Sequence, residues 1–298
     1  MIEGIKIMKD YVIVTESTAD LTVDIISKYG IKVMPMIFGF ENESYLDYPD
    51  HRQLSIKEFY NRIRNEERSI TGLINVKMFE EYFEPILKKG NDILYLGFSS
   101  GLSGTYNSSL IAAEEVMDVT FDLLELLLAD ALAASMGEGL LVYCAARKKH
   151  EGFNLDELKQ WVQDNRLHLS HWFTVDDLNH LKRGGRINAM TATIGTALNV
   201  KPVLHVDNEG HLVPVENVRG RKKSIHTILE HMESTCMNPD GGPVFISHGD
   251  CLEDAEYLAG LVKDKFNIKD IPINYIGPVI GSHSGQGTIA LFFFGTER

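Results

Sequence analysis

Three short segments of this chain carry the residue types that binding or catalysis needs. Phe98-Ser99-Ser100-Gly101-Leu102-Ser103-Gly104-Thr105 sets four hydroxyls and two glycines between an apolar run and a helical pattern. Small residues let a ligand approach the backbone, and the first-turn N–H groups of a helix favour an anion. An ordinary, well-capped strand-to-helix turn is the competing reading. The segment is not a nucleotide phosphate loop, because no Gly-Lys-Ser/Thr follows, and it is not G-x-G-x-x-G. Glu16-Ser17-Thr18-Ala19-Asp20 also opens a helix, where Ser, Thr and Asp usually act as caps. Gly281-Ser282-His283-Ser284-Gly285-Gln286-Gly287 surrounds one histidine with three glycines, as in a turn with positive φ or a close ligand approach.

Two chemistries fit these residues. An anion cradle needs only donors. A serine hydrolase would use Ser99, Ser100 or Ser103 as nucleophile with His283 as base, yet the nucleophile-elbow pattern is missing and no third orienting group stands out. Lys182-Arg183-Gly184-Gly185-Arg186 is a basic turn in which a guanidinium could pair with a carboxylate or phosphate. Arg219-Gly220-Arg221-Lys222-Lys223 opens a helix, either as a solvated face or as a dock for an acidic or phosphate-bearing partner. His168 and His171 share helical spacing but match no metal motif, and they read as structural.

Alternating strand and helix patterns must position these segments. Tyr11–Thr15 reads as a strand, with a helix after it that stops at Gly30, and Ile31–Phe38 reads as one further strand. Ser55 and Asn75 each open a helix, Asp92–Phe98 is a strand, and a helix lies around Leu110–Val116. Parallel βαβ units follow from this order, with ligand sites at the carboxyl ends of strands, where loops 16–20 and 99–105 fall. Later come helices over Asp177–Lys182 and Met190–Asn199, a hairpin around Asp207–Gly210, and a strand over Leu291–Phe294. The texture changes near residues 165–172, which suggests two α/β domains, 1–168 and 169–298.

Of 298 residues, 29 are Lys or Arg and 42 are Asp or Glu, a net charge of −13. So acidic a chain gains nothing from a polyanion or an anionic membrane, which disfavours nucleic acid as a partner. Three cysteines without C-x-x-C spacing disfavour both a disulfide framework and a cysteine zinc site. The stretch from Phe121 to Ala146 is interrupted by four acidic residues and reads as buried structure rather than a membrane span. With no signal-peptide pattern at MIEGIKIMKD, a cytoplasmic protein is expected.

In order along the chain, the segments resemble the DegV family of bacterial fatty-acid-binding proteins. Thr15–Thr22 matches the family's T-D-S-T-A-D-L-P, and Ser99–Tyr106 is its S-S-G-L-S-G-T-Y unchanged. Asp176–Ile187 carries D-D-L-x-x-L-K-R-G-G-R-I, Asn199–Pro202 carries N-x-K-P, and Arg219–Lys223 carries R-G-x-K-K. Ile276–Gly287 carries I-G-P-V-I-G-x-H-x-G-x-G.

The resemblance implies a two-domain α/β fold, with a Rossmann-like parallel sheet and a long-chain fatty acid such as palmitate or oleate between the domains. It implies no catalysis, metal or cofactor. It assigns the carboxylate to Thr71, Ser99, Ser100 and His283, with Ser17, Thr18, Gly101 and Arg186 near the head group. It also implies a partner fatty acid kinase that phosphorylates the presented carboxylate for lipid metabolism, docking on Arg219, Arg221, Lys222 and Lys223. The sequence departs from the family at Glu16 for Asp, at Ala131 for Ser after the kept Asp130, and at Gly72 where a Ser is usual.

Overall fold

The computed structural model describes residues 10–120, 124–187 and 199–298. The chain begins with β1 (Tyr11–Glu16), a 3-10 turn at Ser17–Ala19, and α1 (Val23–Tyr29). Thr22 caps α1 by accepting from the Ile25 N–H at 3.3 Å, and Gly30 ends it with φ 64°. The chain continues through β2 (Lys32–Met34), β3 (Met36–Phe40), β4 (Glu43–Asp47), α2 (Ile56–Arg64), β5 (Ser69–Gly72) and α3 (Val76–Leu87). Ser55 and Asn75 cap α2 and α3 through their side chains. Next come β6 (Asp92–Gly97), α4 (Thr105–Thr120), β7 (Leu126–Asp130), α5 (Met136–His150) and α6 (Leu155–Asn165).

Strands β2-β1-β6-β7 form a parallel sheet, and β4-β3-β5 form a small antiparallel one. The run Ile31–Phe38 is therefore two strands rather than one. Pro35 divides them, since it has no N–H to give to a ladder. The Met36 N–H beyond it bonds the Ser17 hydroxyl at 3.1 Å as the chain crosses to the second sheet.

The remaining elements are β8 (Leu169–Thr174), α7 (Leu178–Arg183), β9 (Val200–Val206), β10 (Leu212–Arg219), α8 (Arg221–Thr235), β11 (Phe245–His248), α9 (Leu252–Lys265), β12 (Ile273–Tyr275), α10 (Pro278–Ser284) and β13 (Ile289–Phe294). Strands β10-β9-β8-β13-β11-β12 form a third sheet in which only β11 and β12 run parallel. The helix expected at Met190–Asn199 falls almost wholly outside the described residues.

Helix α5 lies between the parallel sheet and this mixed sheet, and ten of its residues are buried. A helix covered on both sides needs no polar stripe, which explains the apolar and small residues from Gly139 to Ala146 ahead of its basic last turn. Helices α8 and α9 cover the other face of the mixed sheet around Ile225, Ile228 and Leu258. Helices α2, α3 and α4 share an aromatic core with the two N-terminal sheets, built on Phe38, Phe59, Phe79, Phe83 and Tyr95. No helix among the described residues is long and apolar enough to cross a membrane.

Residues 281–284, expected as a glycine turn, belong to α10. Pro278 starts that helix, where a missing N–H costs nothing, and Gly285 follows its end with φ 77°. Gly281 serves packing: a Cβ there would sit 2.8 Å from the Phe59 ring and from the Tyr60 hydroxyl.

Candidate functional site

In the parallel sheet the connections run outward in opposite directions from β1 and β6, and the loops after these two strands bound a cavity of about 230 Å³. Such switch points are where α/β sheets hold ligands. Thr18 comes from the first loop, and Phe98, Leu102 and Ser103 come from the second. The small sheet contributes Met36 and Thr71, α10 contributes Val279, Ile280 and His283, and the mixed sheet contributes His171, Phe173, Ala290 and Phe292. Most of the wall is apolar.

Among the described residues, the one charged side chain of the lining lies at one end, while the polar groups Thr18, Ser103, Ser135, His171, Ser284 and Thr288 interrupt the wall elsewhere. Thr71, Arg186 and His283 line both this cavity and an outer groove of about 640 Å³, so they form the neck between the two. Thr71 Oγ1 lies 2.9 Å from His283 Nε2. Burial, with a smaller effect of the Arg186 charge, pushes the His283 pKa down to about 4, so the ring is neutral at pH 7.

Arg186 follows the Gly184-Gly185 turn that ends α7, and its guanidinium donates to the Gly184 carbonyl. Burial lowers its pKa from the ordinary guanidinium value without neutralising it. This guanidinium has no ion-pair partner among the described residues. Among the described residues the neck therefore holds one cation without an ion-pair partner, beside a hydroxyl and a neutral imidazole.

Other residues singled out in the sequence lie elsewhere. The Ser99 hydroxyl is buried and donates to the Gly210 carbonyl at 2.9 Å, tying the β9–β10 hairpin to the loop after β6. Gly101 permits that approach, since a Cβ there would lie 2.6 Å from the Glu209 carbonyl oxygen. Ser100 is exposed, and its backbone N–H bonds Asp130 at 3.3 Å. Ser17 supports Met36, as described. Thr18 is in the cavity wall, but its hydroxyl lies between Glu138 and Glu16 at 3.0 and 3.3 Å.

Ser103 is also in the wall, with its hydroxyl 2.9 Å from that of Thr105. His283 pairs with Thr71 and with none of Ser99, Ser100 and Ser103. Gly72 lines the cavity too, and a Cβ there would meet Ile37 at an ordinary 3.5 Å.

In the basic cluster, Arg221 is committed internally. It bonds Asp254 at 2.8 Å and Cys251 Sγ at 3.3 Å, and lies 3.8 Å from Asp176. Lys223 bonds Glu230 at 2.9 Å. Arg219 and Lys222 are exposed.

Some of the site was not visible in the sequence. His171 is in the cavity wall, with Nδ1 3.2 Å from the Leu169 carbonyl and Nε2 accepting from the Ala134 N–H at 3.4 Å. Burial pushes its pKa well below the ordinary value. Behind the wall lie four buried carboxyls, Glu16, Asp20, Asp47 and Glu138. Burial pushes Glu16 and Asp47 up to about 7, and Asp20 and Glu138 well above their usual range. Asp20 accepts from the Gly277 N–H at 2.9 Å and so anchors the start of α10. Among the described residues no group of three or more His, Cys, Asp or Glu could hold a metal ion.

Comparison with known proteins agrees with this architecture. The model of the DegV family, a family of uncharacterised proteins, matches residues 10–296. A DegV domain-containing protein of Clostridium perfringens is 46% identical over 291 residues, covering 98% of this chain and 99% of that one. A solved DegV lipid-binding protein of Thermotoga maritima superposes with a TM-score of 0.86 at 27% identity, covering 97% of this chain and 99% of its own. A fatty-acid-binding DegV protein of Thermus thermophilus gives 0.85 at 27% identity, covering 96% and 99%. Matched almost from end to end in sequence and in fold, the chain belongs to the DegV family.

Proposed function

We propose that this protein binds a long-chain fatty acid without catalysing a reaction on it. The acyl tail occupies the apolar cavity, and the carboxylate lies at the neck between Thr71, His283 and Arg186. The observation that carries this reading is the guanidinium of Arg186, without an ion-pair partner among the described residues, at the neck of a mostly apolar cavity. A charge-assisted bond to a carboxylate satisfies it, and the Thr71 hydroxyl adds a donor. Each buried methylene adds about 0.8 kcal/mol before ordering costs, so the tail supplies most of the affinity. The lipid-binding and fatty-acid-binding relatives of Thermotoga maritima and Thermus thermophilus support the same class of ligand.

The carboxylate faces the outer groove because the neck residues line both spaces. A partner fatty acid kinase reaches it there and converts it to an acyl phosphate, in the cytoplasm, for lipid metabolism. Ser99 acts at one remove, by holding the hairpin against the loop that bounds the cavity, and Ser100 is exposed outside the cavity lining. Arg219 and Lys222, exposed beside the internally paired Arg221, are the docking cations. Organic extraction of purified protein and mass spectrometry test the binding. Recovery of an acyl chain, or calorimetric binding of palmitate or oleate to extracted protein, is expected. If no acyl chain is recovered and neither palmitate nor oleate binds, the proposal is overturned.

A further inference from the structure

Ser284 is the last residue of α10 and is 5% exposed. It lines the cavity, and its hydroxyl has no hydrogen-bond partner among the described residues. The other hydroxyls of the inner wall are all engaged. Thr18 bonds Glu138, Ser135 bonds Asp20 at 2.5 Å, and Thr288 bonds the Ser284 carbonyl at 3.0 Å. A buried hydroxyl left unpaired costs stability, and a ligand atom that pairs with it recovers that cost.

We infer that Ser284 is a ligand-contacting residue that selects acyl chains carrying an oxygen on the carbons next to the carboxyl. This rests on the fatty-acid reading above. His283 marks the head-group end, and Ser284 is the next residue of the same helix, displaced by about 1.5 Å along the axis and about 100° around it. Its hydroxyl therefore meets the first carbons of the chain rather than the far end. An unsubstituted alkyl chain offers it nothing, whereas a 2- or 3-hydroxyl accepts its hydrogen bond.

The test compares palmitate, 2-hydroxypalmitate, 3-hydroxypalmitate and 16-hydroxypalmitate by calorimetry on extracted protein. The wild type should favour a 2- or 3-hydroxy acid over palmitate by about tenfold, the value of one good hydrogen bond, and show no such gain for the 16-hydroxy acid. Ser284→Ala should lose the preference, read as the ratio of hydroxy-acid to palmitate affinity, and Ser284→Thr, which retains the hydroxyl, should keep it. Equal wild-type affinity for palmitate and both near-carboxyl hydroxy acids overturns the inference, as does a preference that survives in Ser284→Ala. Failure of all four acids to bind overturns the fatty-acid reading itself.

Discussion

Thr71 and His283 stand 212 residues apart in sequence and 2.9 Å apart in space. One sits on the small antiparallel sheet and the other at the end of α10, so their contact fixes where those two elements meet at the neck. Replacing Thr71 by Val keeps the shape and removes the hydroxyl. Fatty-acid affinity should fall by about 1.5–3 kcal/mol if the donor serves a charged carboxylate. Displacement of a fluorescent fatty acid measures it, and unchanged affinity would remove Thr71 from the head-group site.

Arg186→Leu should weaken binding more than Thr71→Val, because it deletes the one full charge that the described residues place at the neck. It should also raise the His283 pKa from about 4, since the neighbouring guanidinium is one of the two causes holding it down. NMR titration of the ring follows that shift independently of any ligand. A His283 titration identical in wild type and variant would contradict the electrostatic description.

Gly72→Ser should fold normally, since the new Cβ meets only Ile37 at 3.5 Å and the backbone needs no positive φ. It adds a second hydroxyl next to Thr71, and affinity for palmitate should rise about threefold to tenfold if the new donor reaches the carboxylate. A melting temperature well below the wild-type value would show that the wall has no room for it.

The buried carboxyls give stability a definite pH dependence. Glu16 and Asp47, raised to about 7, hold protons in the folded chain that the unfolded chain has already released. Their contribution is complete below the ordinary carboxylate range and is lost as pH rises through about 7. His283 and His248, lowered to about 4, act in the opposite sense, but only up to the unfolded histidine value near 6.5. Urea unfolding from pH 6.5 to 8.5 therefore isolates the carboxyls, and stability should fall by on the order of 1–3 kcal/mol. Glu16→Gln should flatten that slope, and an unaltered slope would assign it elsewhere.

Arg221→Glu should destabilise the fold, because it opposes Asp254 and Asp176 with a third negative charge. Arg219→Glu with Lys222→Glu should leave the melting temperature within about 2 °C, since surface charges contribute little. Only that second variant tests kinase docking cleanly. Transfer of phosphate to bound palmitate by a partner kinase should drop while lipid retention stays the same.

The sequence made much of this legible through local chemistry. Ser55 and Asn75 announced their helices because a cap is a property of a few adjacent residues, whereas the first helix, expected to open at 16–20, is capped by Thr22 beyond a 3-10 turn. The loops after β1 and β6 were placed at the cavity because strand–helix alternation already implies a parallel sheet. Contacts between distant segments were not legible. Nothing around Ser99 signals that its hydroxyl would be spent on a hairpin more than a hundred residues away. His171 lies on a strand among apolar residues, where its role as cavity wall depends on what faces the sheet. The glycines of 281–287 suggested a turn, when at Gly281 the requirement came from the rings of Phe59 and Tyr60.

Helix α5 has a further consequence. Its two sides complete the cores of two different sheets, so residues 1–168 alone would leave an apolar helix face uncovered, and residues 169–298 alone would leave an apolar sheet face uncovered. Each half keeps a core of its own, around Phe59 and Phe79 in the first and around Ile228 and Leu258 in the second, but the interior around α5 is closed only when both are present. Heat should then melt the protein as one cooperative unit, with a single calorimetric peak whose van't Hoff and measured enthalpies agree. A ligand bound at the neck should move that whole peak upward rather than splitting it.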